Sequence, residues 1–284
     1  MNVFGWAQIA RVGLVQAALG AVVVLTTSTL NRVMVVELAL PALLPGLLVA
    51  LHYAVQLARP RMGFGSDVGG RRTPWIVGGM AVLAAGGVLA ALATAWMATD
   101  RAAGLVLAVF AFGLVGLGVS AAGTSLLVLL AKRVPEGRRA GAATLVWMMM
   151  ILGFAVTAGI TGRLIDPFSP ERLVTVSACV SALAFLVTLL VLRGLEGPAQ
   201  TIQSNGPGRE PEPKPAFRQA LAQIWDEPVA RRFTVFVFVS MIAFSAQDLI
   251  LEPFAGTVFG FTPGESTRLS GVQNAGVLCG MLLV

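Results

Sequence analysis

Arg59-Pro-Arg-Met-Gly-Phe-Gly-Ser-Asp-Val-Gly-Gly-Arg-Arg-Thr-Pro-Trp75 is a glycine- and arginine-rich stretch caught between two long apolar segments. Two helices can be joined by as few as about two residues. Glycines at 63, 65, 69 and 70, with Asp67 set among the arginines, therefore exceed what a turn needs. The stretch reads as a charged hinge at a membrane face, in a scaffold of the moving, transporter-like kind.

The rest of the chain supports a membrane setting. Of 284 residues, 56% are hydrophobic and 12% charged, against roughly 25% charged in an ordinary soluble domain. The mean hydropathy is +0.83. A hydrocarbon core of roughly 30 Å takes an apolar helix of about 20 residues. Six complete runs of that kind lie near 12–30, 38–58, 74–98, 102–131, 141–165 and 173–192. A seventh lies near 233–251, and an eighth begins near 268 and is still apolar at Val284, so the chain is expected to be a fragment that stops inside a helix. The fold class expected is an all-α polytopic membrane protein.

The net charge of +6 is not the footprint of a nucleic-acid-binding protein, because the basic residues fall in short loops rather than on one continuous face. With a cytoplasmic N-terminus, the cytoplasmic side receives Arg11, Arg59, Arg61, Arg71, Arg72, Lys132, Arg133, Arg138 and Arg139. It also receives Arg193, Arg209, Lys214, Arg218, Arg231 and Arg232, which brings it to fifteen of the 20 basic residues. Arg32, Arg101, Arg163, Arg172 and Arg268 fall on the other side. Retention of basic residues on the cytoplasmic face favours that orientation.

Met1 to Arg11 lacks the basic run and small-residue cleavage site of a secretory signal. Cys179 and Cys279 lie in different spans, which suits neither a disulfide nor, with one histidine in the chain, a metal site. There is no phosphate-cradling Gly-Lys-Ser loop, no paired-histidine motif and no nucleophile elbow, so no enzyme chemistry and no nucleotide is expected.

Residues 193–228 differ from everything around them, with Asn205-Gly-Pro-Gly208 and Glu210-Pro-Glu-Pro-Lys-Pro215. Such proline spacing reads as a cytoplasmic linker. Phe217, Leu221, Ile224 and Trp225 at its end have helical spacing, suited either to the membrane surface or to a lead into the seventh span. The chain thus divides into a six-helix half at 1–192, the linker at 193–228, and the start of a second half at 229–284.

Gly63, Asp67, Gly70, Arg71 and Arg72 have the spacing Gly-x3-Asp-x2-Gly-Arg-Arg. This resembles the signature between the second and third helices of the major facilitator superfamily. The resemblance implies that Gly63 lets two helices approach closely, and that Asp67 and the arginines latch the cytoplasmic side. A carboxylate at a helix end can accept charge-assisted hydrogen bonds of that kind. The simpler reading is a basic turn that only fixes orientation, which leaves the aspartate and glycines unused.

Four separated blocks narrow the resemblance: Thr27-Ser-Thr-Leu-Asn-Arg-Val-Met-Val-Val-Glu-Leu38, Ala50-Leu-His-Tyr-Ala-Val-Gln56, Ala246-Gln-Asp-Leu-Ile-Leu-Glu-Pro-Phe-Ala-Gly256 and Thr262-Pro-Gly-Glu-Ser-Thr-Arg-Leu-Ser-Gly-Val-Gln-Asn274. They resemble the PucC/LhaA, or bacteriochlorophyll-delivery, group within that superfamily. The resemblance implies a major-facilitator-type bundle in a bacterial photosynthetic inner membrane. The function it implies is assembly of light-harvesting antenna complexes, with antenna polypeptides as partners and bacteriochlorophyll as cargo. The remaining helices of that group have no counterpart here. A proton-coupled transporter of a small molecule is the alternative, and a structural subunit beside a photosynthetic complex is a third reading.

His52, beside Tyr53 in the second span, is either a ligand for pigment magnesium, as the resemblance allows, or a histidine hydrogen-bonded inside the bundle. The packed reading is preferred, since a lone histidine does not make a pigment site. Gln247, Asp248 and Glu252 are candidate pigment- or partner-binding residues, or a proton-coupling site by their chemistry alone. If the seventh helix ends near Leu251, Asp248 is one turn from the interface and Glu252-Pro253 marks the end. Asn31, Arg32 and Glu37 are expected in the first external loop, where an exposed Arg32–Glu37 pair contributes only about 0–1 kcal/mol. Glycines at 78, 79, 86 and 87 and at 113, 116, 118 and 123 read as close helix contacts.

Overall fold

A computed structural model describes residues 4–68, 71–196, 219, 222 and 225–283. The described residues are helical, with no strand among them. Helix α1 runs over Trp6–Glu37, α2 over Leu43–Val55 and α3 over Arg59–Val68, with one 3-10 turn at Gln56–Ala58 joining α2 to α3. Next come α4 (Thr73–Trp96), α5 (Arg101–Arg133), α6 (Arg139–Leu164) and α7 (Pro170–Leu192). Helices α8 (Pro228–Phe259) and α9 (Pro263–Leu283) complete the described chain. Six of these helices, α1 and α4 to α8, are long and apolar enough to cross a membrane.

Local chemistry sets several ends. Asp100 caps α5 by accepting from the N–H groups of Ala102 and Ala103, each at 3.0 Å, and Ser169 caps α7 through Arg172 N at 3.1 Å. Pro74, Pro170 and Pro228 stand in first turns, where no intrahelical N–H is needed. Gly260 closes α8 in the left-handed conformation, φ 67°.

Packing follows the small residues. Helices α4 and α5 make the most intimate pair. A Cβ at Gly79 would lie 2.5 Å from Ala122 N, and one at Gly118 would lie 2.5 Å from Leu83 N. Gly78 and Gly113, read from sequence as contact residues, meet nothing within 4 Å of such a Cβ. Around this pair α1 packs on α6 and α7, α2 and α3 on α5, and α9 on α6. The exposed side chains of α8, Phe233, Phe236 and Phe238 among them, point outward.

Four expectations are corrected. Most of the presumed loop at 59–75 is helix, because α3 continues the second span to Val68. The first span does not stop near residue 30, so Asn31 and Arg32 are buried inside α1 and Glu37 is its last residue. Helix α8 does not end at Glu252-Pro253 but continues to Phe259, with Pro253 inside it. Helix α9 starts at Pro263, not near 268. The linker lies almost wholly outside the described residues, as do Phe217, Leu221 and Ile224.

Candidate functional sites at the two ends of the bundle

The first site surrounds the arginine-rich stretch. Gly63 faces α5, where a Cβ would come within 3.1 Å of Thr124 Cγ2, and Gly65 faces Trp75. Asp67 belongs to α3, but its side chain and all of Gly70 lie outside the described residues. Arg71 is exposed, and Arg72 is the residue before α4. The group that meets them is one the sequence reading missed. Glu196, 6% exposed, accepts from Arg72 N at 2.6 Å, Thr73 N at 2.7 Å and Thr73 Oγ1 at 2.6 Å.

These are first-turn N–H groups of α4, which no carbonyl of that helix can satisfy. Burial pushes the Glu196 carboxyl up. The Thr73 hydroxyl, the two backbone donors and the charge of Arg72 outweigh it and hold the group below the usual glutamate value. Arg133, at the end of α5, donates to the Glu196 carbonyl at 2.7 Å, and Arg11 donates to the Val191 and Arg193 carbonyls at the end of α7. The start of the segment after α7 is thereby fastened beneath α1, α4 and α5. The only sequence signal was one acidic residue among basic ones, and nothing in its spacing pointed to α4.

The second site joins α1 to α8 and α9 toward the opposite end. Pro253 has no N–H to offer the Leu249 carbonyl one turn back. Asn31 Nδ2 supplies the missing donor at 2.8 Å. Arg32, 1% exposed, pairs with Glu37 at 2.5 Å and donates to the Phe261 carbonyl. Two π-helical segments, Leu25–Thr29 and Val33–Glu37, bracket the single α-turn that carries Asn31 and Arg32. Such irregular turns re-aim side chains and often mark functional positions.

Glu252 is 0% exposed and accepts from Ser270 Oγ at 2.6 Å and Thr267 Oγ1 at 3.3 Å. Thr267 in turn meets Thr29 of α1 at 3.2 Å. Beyond them Asp166, just after α6, accepts from Thr262 Oγ1 and Gly264 N at the start of α9, with Arg268 3.6 Å away. Placing a charged side chain at the centre of a membrane helix costs about 2.5–3.5 kcal/mol on insertion scales, so this spacing of polar partners is what makes the placement tolerable.

Asp248 lies deeper than expected, eleven residues before the end of α8, or about 16 Å at 1.5 Å per residue. It is half-buried and accepts from Gln273 Nε2 at 3.1 Å, while Gln247 beside it is exposed. His52 is 1% exposed, with Nε2 2.8 Å from Gln56 Nε2 and Nδ1 buried without a partner. Gln56 also accepts from Arg59. A pigment magnesium would therefore have to displace Gln56 from Nε2 or reach the buried Nδ1. Of the sequence candidates, Asp248 and Glu252 thus sit on one helix facing α9, whereas His52 sits in a separate cluster with Gln56 and Arg59. Among the described residues no three His, Cys, Asp or Glu side chains group as a metal site.

A family model described as PUCC protein matches residues 29–284. A Rhodobacter capsulatus protein, "Bacteriochlorophyll synthase 44.5 kDa chain", is 55% identical over 280 residues, covering 99% of this chain and 64% of that protein. "Protein PucC" of Cereibacter sphaeroides is 29% identical, with coverage of 96% and 61%. The chain therefore spans a little under two thirds of the length of these relatives. Among solved structures, the D-xylose-proton symporter superposes with a TM-score of 0.63 at 13% identity, covering 98% of this chain and 67% of that one. The likeness shows a major-facilitator-type fold.

Proposed function

The chain belongs to the PUCC family, and from that premise we propose that it acts as an assembly factor for light-harvesting antenna complexes, handling bacteriochlorophyll as antenna polypeptides insert. It is a multi-pass membrane protein of a photosynthesis-related family. The observation that carries the finer reading is the family match over 29–284, which includes every residue of the buried α1–α8–α9 constellation. In this reading the protein is not an enzyme, its N-terminus is cytoplasmic, and it resides in the bacterial photosynthetic inner membrane. Antenna polypeptides and pigment are its partners, with Gln247, Asp248 and Tyr53 on the surface that meets them.

Deleting the reading frame from a phototrophic host, and following pigments and complexes separately, tests the proposal. Assembled antenna should fall while the cells still make bacteriochlorophyll, and the affinity-tagged protein in mild detergent should carry antenna polypeptides with near-infrared absorbance. Loss of bacteriochlorophyll with accumulation of its precursors would instead support an enzymatic role, in line with the synthase name of the Rhodobacter relative. The second reading, proton-coupled transport of a small molecule, draws on the carboxylates of Asp248 and Glu252 within α8. Normal antenna and normal pigment in the deletion strain would favour it.

A further inference from the structure

We propose that Glu252 is a proton-binding site, and that its charge decides which carboxylate the Arg32 guanidinium serves. Three observations meet here. Glu252 is 0% exposed, and among the described residues its hydrogen-bond partners are two hydroxyls, with no ion pair to it. Arg32, equally buried, uses Nη1 and Nη2 on Glu37 and the Phe261 carbonyl, while its Nε makes no hydrogen bond. Gly256, one turn beyond Glu252, is where that guanidinium lies against α8, since a Cβ there would come within 3.2 Å of both Nε and Nη2. One cation, paired with Glu37 on its own helix, thus lies against α8 one turn from Glu252.

With a proton on Glu252, Arg32 holds Glu37 and the Phe261 carbonyl, and α1 is fastened to the end of α8. When the proton leaves to water, the carboxylate draws the guanidinium along the notch at Gly256. The Phe261 contact is then released and the junction of α1 with α8 loosens. The hydroxyl chain from Glu252 through Thr267 to Thr29 carries the same change into the first π segment.

Other charged groups nearby are already engaged. Asp248, one turn inward on α8, is held by Gln273, and Tyr53 of α2 faces Asp248. On α9, Glu265 accepts from Thr262 N and Arg268 faces Asp166 of the α6 end. The inference concerns the junction of α1 with α8 and α9 and stands apart from what cargo the protein handles.

Infrared difference spectroscopy of the purified protein in lipid nanodiscs, titrated over pH, tests it through the carbonyl stretch of protonated carboxyl groups. We expect one titrating band to vanish in Glu252→Gln and to persist in Asp248→Asn. The midpoint of that band should fall by about one pH unit in Glu37→Gln, which frees Arg32 to serve Glu252, and rise in Arg32→Gln. Glu37→Gln leaves Glu252 in place, so the result stands even if Glu252→Gln fails to fold. A band insensitive to Glu252→Gln, or a midpoint unmoved by Glu37→Gln, overturns the proposal.

Discussion

Replacing Glu196 with alanine leaves the N–H groups of Arg72 and Thr73 without their acceptor in a buried place. Loss of a helix cap costs about 0.5–2 kcal/mol, so Glu196→Ala should lower the thermal midpoint of the detergent-solubilised protein, and Glu196→Gln, which keeps one acceptor oxygen, should lower it less. The pH dependence has a definite sign. A carboxyl whose folded pKa lies below its unfolded value stabilises the fold above the unfolded pKa, and that stability is lost as pH falls through the folded one. The wild type should therefore lose this increment on acidification below the usual glutamate range, whereas Glu196→Ala should show a flatter profile there. The acidic residue expected to organise this end was Asp67, from its motif spacing. Glu196 was not legible because its partners lie 123 and 124 positions away.

At the scale of helices, α8 shows how one element's continuity rests on another. Proline after glutamate reads as a helix end, since proline removes a backbone donor. Here the helix runs on because Asn31 of α1 satisfies the freed Leu249 carbonyl. Asn31→Leu should destabilise the protein by about 1–3 kcal/mol, the cost of an unsatisfied buried acceptor. Pro253→Ala introduced on top of it returns the N–H and should recover part of the loss. Thermal unfolding of the two single variants and the double variant measures the coupling, and simple additivity would refute it. The same contact explains why Asn31 and Arg32 were misplaced in a loop. Their polarity interrupts the apolar run, but their partners on α8 and beyond its end make a buried helical position tolerable.

Across the whole molecule, the contacts that tie α1 and α6 to α8 and α9 gather toward one end. Glu196, Arg133 and Arg11 fasten the other end within the first seven helices. Thr29 and Thr267, with hydroxyls 3.2 Å apart, give a direct probe. With the exposed Cys179 and Cys279 replaced by serine, a Thr29→Cys/Thr267→Cys pair should cross-link in membranes under mild oxidant, seen as a mobility shift reversed by reductant. Failure to cross-link in folded protein would show that this end does not stay closed.

The sequence by itself determined that the chain crosses a membrane repeatedly, roughly where six of the eight expected spans lie and which family it belongs to. Membrane helices are set locally, by about 20 residues of hydropathy and by the prolines, glycines and caps at their ends. Only the tertiary structure decided that Arg32 and Glu252 are buried, that α8 passes through Pro253 and that Glu196 caps α4. Each of these depends on a hydrogen-bond partner or a neighbouring charge from a distant part of the chain. Such partners become neighbours only when the helices pack.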